Sequence, residues 1–61
     1  MNDELYDKAK EIVVNERKTS ISYLQRRLKI GYNRSARIID QLEKEGVISA
    51  LNEKGNREVL V

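Results

Sequence analysis

Ile30-Gly31-Tyr32-Asn33-Arg34-Ser35-Ala36-Arg37-Ile38-Ile39-Asp40-Gln41-Leu42-Glu43-Lys44-Glu45-Gly46 carries two chemically different faces in one stretch. A helix advances about 100° per residue. Stepped at that angle, Ser35, Ile38, Ile39 and Leu42 fall within roughly 60° of one direction, a stripe suited to a core. Asn33, Arg37, Asp40 and Lys44 collect on the opposite side, within about 40° of its centre. Gly31 suits a tight turn before this helix, and Gly46 stands where a C′ glycine belongs. Long donors and acceptors on the face away from a core are what a helix entering a DNA groove requires.

Moving outward, the preceding segment supplies a partner. Ser22-Tyr23-Leu24-Gln25 has the form of a capping box, which predicts a short helix over about Tyr23 to Lys29 with Leu24 and Leu28 on its inner side. A short helix, a glycine-containing turn and a longer helix make a helix-turn-helix. Upstream, Leu5, Ala9, Ile12 and Val13 follow the i, i+4, i+7, i+8 rule. They predict a first helix from Asp3 or Glu4 to Glu16, with Asp3, Glu4 and Asp7 at its positive end and Arg17 and Lys18 at its negative end. Downstream, Val47-Ile48-Ser49-Ala50 and Arg57-Glu58-Val59-Leu60-Val61 read as strands around a Gly/Asn loop, Leu51 to Asn56. Thr19-Ser20-Ile21 is short and rich in β-branched and polar residues, able to pair as a third, edge strand. The expected fold is therefore α+β: a winged helix-turn-helix of three helices plus a C-terminal β-hairpin wing, one domain over 1–61. Its core draws on Leu5, Ala9, Ile12, Val13, Ile21, Leu24, Leu28, Ile39, Leu42, Ile48 and Val59.

Composition bounds the chemistry. Sixty-one residues permit one modest core. The absence of Cys removes disulfides and thiolate metal sites, and the absence of His removes the commonest general base and metal ligand. Phosphate-cradling motifs and nucleophile–base pairs are also missing, so neither an enzyme nor a cofactor or small-molecule ligand is expected. The longest apolar runs are three residues, Ile12 to Val14 and Val59 to Val61, far short of a membrane span. Acids follow Met1 too closely for a signal peptide, making the cytoplasm the expected compartment. The net charge of +2 hides an uneven distribution: seven basic residues and no acid lie between Arg17 and Arg37. That block is an electrostatic footprint for polyphosphate, with a solvated helical surface as the plainer reading.

Arg37 offers two parallel donors to guanine O6 and N7, or forms an exposed ion pair with Asp40. Asn33 suits adenine or a helix cap. Asp40 either touches a base or orients Arg37. Arg34, Arg26, Arg27 and Lys29 are candidates for phosphate, together with Gln41 and Lys44 beside the exposed face. Lys54 and Arg57 belong to the wing and could reach a neighbouring DNA backbone or minor groove, while Arg57 could equally satisfy a cross-strand partner. Tyr23 and Tyr32 favour partial core packing, with a phosphate bond open to Tyr32.

Arg17-Lys18-Thr19-Ser20-Ile21-Ser22, Gln25-Arg26, Ile30-Gly31-Tyr32-Asn33-Arg34-Ser35-Ala36-Arg37-Ile38-Ile39 and Gly55-Asn56-Arg57-Glu58-Val59-Leu60 resemble the γ domain of FtsK/SpoIIIE-type DNA translocases. The resemblance runs without gaps from about Asp3 to Val61. It implies a DNA-binding module of a hexameric, ATP-driven pump whose motor and ATPase lie on other chain, working at the division septum membrane. It also implies reading of short, asymmetric G-rich double-stranded sites that orient translocation, and contact with a Xer-type tyrosine recombinase. The family's base-reading Asn, Arg and Glu fall on Asn33, Arg37 and Asp40. Asp40 departs from the pattern by one methylene, which changes its reach to a cytosine amine. Two other functions fit the residues: a free-standing winged-helix transcriptional regulator, which Met1 and the end at Val61 permit, and a protein–protein adaptor docking a recombinase or motor.

Overall fold

Asp3 opens the described chain, which covers residues 3–61 of this computed structural model. Its carboxylate Oδ1 accepts from the Leu5 amide at 2.8 Å, and its carbonyl accepts from Tyr6 N–H at 2.9 Å. The first helix, α1, spans Tyr6–Glu16. Asp3 and Glu4 thus form the turn that precedes the helix instead of its first residues, because the Asp3 side chain bonds its own backbone two residues on. Tyr6, Ala9, Ile12 and Val13 are buried along one face. Tyr6 replaces the expected Leu5, which is half-buried at the core edge, since the phenol can bury its ring and still donate to Glu45 Oε1 at 3.0 Å.

The second helix, α2, spans Ile21–Leu28, two residues ahead of the expected start. Ser20, in extended geometry, is the N-cap, and its Oγ accepts from Tyr23 N–H at 3.2 Å. Both Ser20 and Ser22 could cap, but starting at Ser20 puts Ile21, Leu24 and Leu28 on a single i, i+3, i+7 stripe. The capping box at Ser22 is therefore not formed, and Ile21 is helical instead of belonging to a third strand. The helix ends at Lys29, which takes a left-handed conformation at φ 56°.

The third helix, α3, spans Tyr32–Lys44 with Gly31 as its N-cap. Asn33 lies inside the first turn, and no side chain caps this end, which removes capping as the role of Asn33. At the other end Gly46 N–H donates to Glu43 O and Val47 N–H donates to Leu42 O, both at 3.0 Å. This is a Schellman motif, with Gly46 at φ 76° supplying the left-handed residue. Ser35, Ile38, Ile39 and Leu42 are the buried face of α3. The fully buried Ser35 donates its hydroxyl to Ile21 O at 2.8 Å, stitching the start of α3 to the start of α2.

Beyond α3, Val47 and Ile48 close the core, and Ile48 pairs with Val59 in one isolated antiparallel bridge. Two backbone bonds flank it, Ser49 N–H to Glu58 O and Leu60 N–H to Val47 O. Among the described residues the two expected strands do not extend past this bridge. The groups that a next rung would use have other partners: Glu58 N–H donates to the Ser49 hydroxyl, and Ser49 O accepts from the Arg57 guanidinium. Thr19 reaches this segment through its hydroxyl, 3.5 Å from Arg57 O, and makes no strand pairing among the described residues. Asn52 organises the loop, its Oδ1 accepting from the amides of Lys54 and Asn56. Of the expected core, Ile21, Leu28 and Val59 are partly buried against it, while Tyr6, Ile38 and Val47 join it.

Candidate nucleic-acid interface

The angular separation of the α3 faces determines where each side chain lies. Asn33, Arg37, Asp40 and Lys44 are all exposed and form one ridge along the outside of the helix. Among the described residues Arg37 and Asp40 do not pair with each other. The ridge borders a shallow hollow of about 420 Å³ whose walls include Arg37, Asp40, Lys44 and, from α1, Tyr6.

The flanks of α3 behave differently, because their charged groups are occupied. On the α1 side, Arg34 gives both donors of its fork to Asp3, Nε to Oδ2 and Nη2 to Oδ1, each at 2.7 Å. Gln41 Nε2 donates to Glu45 Oε2 at 2.6 Å, while Tyr6 holds the other oxygen of Glu45. On the hairpin side, Arg57 pairs with Glu43 and donates to Ser49 O at 3.1 Å. Its side chain is only 11% exposed, so Arg57 takes the cross-strand, protein-facing role of the two open to it. On α2, Arg27 pairs with Glu16 at 2.6 Å, and the Tyr23 hydroxyl donates to the same carboxylate. The Lys18 ammonium stands 5.9 Å from the centre of the Tyr23 ring, within cation–π range.

Four of the basic phosphate candidates thus separate from the rest. Arg26, Lys29, Lys44 and Lys54 are exposed and lie outside these pairs, whereas Arg27, Arg34 and Arg57 are held by carboxylates. Tyr32 is 53% exposed, more than partial core packing would leave it. It lines a second hollow, of about 310 Å³, with Ser22, Leu51 and Asn56. The pairs themselves escaped sequence reasoning, since Asp3 and Arg34 are 31 positions apart and carry no periodic signal. Among the described residues no cluster of His, Cys, Asp and Glu could hold a metal ion, and no helix is long and apolar enough to cross a membrane.

The pairs also set titration. Hydrogen bonds from Arg34, then from the Leu5 amide, hold the Asp3 carboxyl at about 2, below its ordinary 3.8. Arg27, then Tyr23, hold Glu16 at about 2 against an ordinary 4.5. Burial, then the bond to Glu45, raises the Tyr6 phenol to about 12. Carboxyls lowered in the folded state contribute stability that is present above their unfolded pKa and lost as pH falls through the folded one. The phenol contributes below its unfolded pKa, and that contribution goes as pH rises towards 12. Thermal melts followed by circular dichroism should therefore be flat from about pH 5 to 8, and the melting temperature should drop between about pH 4.5 and 2. Glu16→Gln should flatten that drop. A melting temperature unchanged at pH 2 would mean that these pairs are not formed in solution.

Kinship decides the assignment. The family model described as the FtsK gamma domain matches residues 1–61, the whole chain. The chain belongs to the FtsK gamma domain family. It is 62% identical over 58 residues to the DNA translocase FtsK of Campylobacter jejuni strain 81-176, covering 95% of this chain and 6% of that protein. It is 51% identical over 61 residues to the DNA translocase FtsK of Rickettsia prowazekii, covering 100% of this chain and 8% of that protein. With the DNA translocase FtsK 2 of Neisseria meningitidis it shares 56% identity over 59 residues, 97% of this chain and 6% of that protein. The gamma domain therefore spans only a small fraction of the relatives it matches. Membership makes it a small DNA-binding domain.

Proposed function

We propose that this gamma domain, acting as one unit over residues 1–61, reads double-stranded DNA by sequence with the α3 ridge in the major groove. Arg37 is the principal reader, aimed at a guanine edge, with Asn33 and Asp40 on neighbouring bases. Arg26, Lys29, Lys44 and Lys54 supply phosphate contacts that fix orientation without carrying sequence information. Residues 47–61 act as the wing, their loop lying beside the backbone next to the groove. The observation supporting this reading is the contrast along α3: charges on both flanks are engaged inside the protein, while those on the outer ridge face solvent.

The site so read is a G-rich asymmetric sequence, and its reading orients a DNA translocase whose ATPase lies elsewhere in a longer protein acting at the division septum. Contact with a Xer-type recombinase belongs to the same proposal. Relatives in which this sequence makes up 6–8% of a long chain favour a translocase module over a free-standing regulator.

A titration of the 61-residue chain on G-rich asymmetric duplex and on scrambled duplex, at two salt concentrations, tests the reading. The G-rich duplex should bind more tightly. Arg26→Ala should weaken both duplexes alike and flatten the slope of log K against log salt by about 0.9, one phosphate's worth. Equal affinity of the unmodified domain for the two duplexes would overturn sequence reading.

A further inference from the structure

The chain ahead of α1 crosses the first turn of α3, and there Asp3 meets Arg34 in a fork-to-fork pair. Both guanidinium donors go to the carboxylate at 2.7 Å, with the Leu5 amide its third donor and the Glu4 carboxylate 3.9 Å from the same guanidinium. Two parallel N–H donors on two oxygens is also how arginine binds phosphate. The pair lies at the border of the exposed ridge: the side chains are 36% and 23% exposed, and Asp3 shares the hollow that Arg37 lines.

We propose that Asp3 is an intramolecular competitor of DNA phosphate for Arg34, holding down the domain's backbone affinity from a position outside the helix-turn-helix. The inference rests on the DNA-binding reading above. It follows from two properties of the contact. Arg34 sits one position from Asn33 and one turn from Arg37, so any duplex engaging the ridge brings a phosphate strand near it. Its donors are already matched by a carboxylate of the same bidentate geometry, so a phosphate gains that contact only by displacing Asp3. The hydrogen bonds of the competing acid go to a different guanidinium, so Arg37 feels Asp3 only as a nearby charge.

Asp3→Asn tests this while preserving the local turn, since the amide oxygen still accepts from Leu5 N–H. In the same two-duplex titration it should bind both sequences more tightly, by about three- to ten-fold at low salt, with the salt slope steeper by about 0.9. Adding Arg34→Ala should abolish the gain. Asp3→Ser, whose hydroxyl can also take the Leu5 amide, should behave as Asp3→Asn does, and melts of each variant confirm folding. An unchanged or weaker affinity in both variants overturns the proposal. So does an equal gain in the Arg34→Ala background, which would show a long-range charge effect in place of competition. Loss of the G-rich preference in the unmodified domain is a separate outcome: it would refute sequence reading yet leave the effect of Asp3 on scrambled duplex to decide this inference.

Discussion

Arg37→Ala should lose the preference for G-rich duplex while keeping most of its affinity for scrambled duplex. A bidentate arginine–guanine contact discriminates by about 1–3 kcal/mol, which is about 5- to 150-fold in relative affinity. Arg37 is exposed and has no internal ion pair among the described residues, so its removal should shift stability by less than about 0.5 kcal/mol. Loss of discrimination would then report recognition and not unfolding. Arg37→Lys sharpens the test, because it keeps the charge but replaces the planar fork with a single ammonium. It should retain the salt slope and lose the preference. An Arg37→Ala domain that still distinguishes the two duplexes as the unmodified one does would remove Arg37 from the reading head. Fluorescence anisotropy on labelled duplexes measures all of these quantities.

Ile39→Ala should come close to unfolding the domain. Ile39 is fully buried on the inner stripe of α3, in the same core as Leu24, Leu42 and Ile48. Truncating such a residue costs about 2–5 kcal/mol, the lost transfer energy plus the cavity left behind. A chain of 61 residues has roughly 3–9 kcal/mol of stability in total, at about 0.05–0.15 kcal/mol per residue. At about 4–8 °C per kcal/mol, the melting temperature should fall by about 8–40 °C. Leu51→Ala, at a side chain 60% exposed, is the matched control and should move it by only a few degrees. Thermal melts of the two variants side by side decide the matter; similar small shifts would mean that Ile39 is not packed as described.

Legibility in the sequence followed the range over which each interaction acts. The two faces of α3 were readable because 100° per residue is a local rule, and Gly31 and Gly46 bracket the helix where turns belong. Sequence places the start of α2 two residues late because Ser22 has a capping-box glutamine three positions on, which Ser20 lacks. The partial burial of Ile21 against the core and the Ser35 hydroxyl on its carbonyl favour the earlier start, and that bond comes from 14 positions away. Helix spacing favours Leu5 over Tyr6 because the Tyr6 hydroxyl finds Glu45 only across 39 positions. The shortened hairpin has a similar origin. Alternation of Val, Ile and Leu predicts strands, but it says nothing about a serine hydroxyl and a guanidinium taking over the groups that would have made the next rungs. Of the basic candidates, helix spacing found the exposed ones, while the distinction between free and engaged arginines needed the distant carboxylates Asp3, Glu16 and Glu43 in place.

One guanidinium has a mechanical consequence. Arg57 grips Glu43 on α3 and the Ser49 carbonyl on the outgoing chain at the same moment. The returning loop is thereby tied to the very helix whose outer edge we propose meets DNA. Under that proposal a duplex settling against the edge would find its outrigger already at a fixed offset, with little chain left to order on contact.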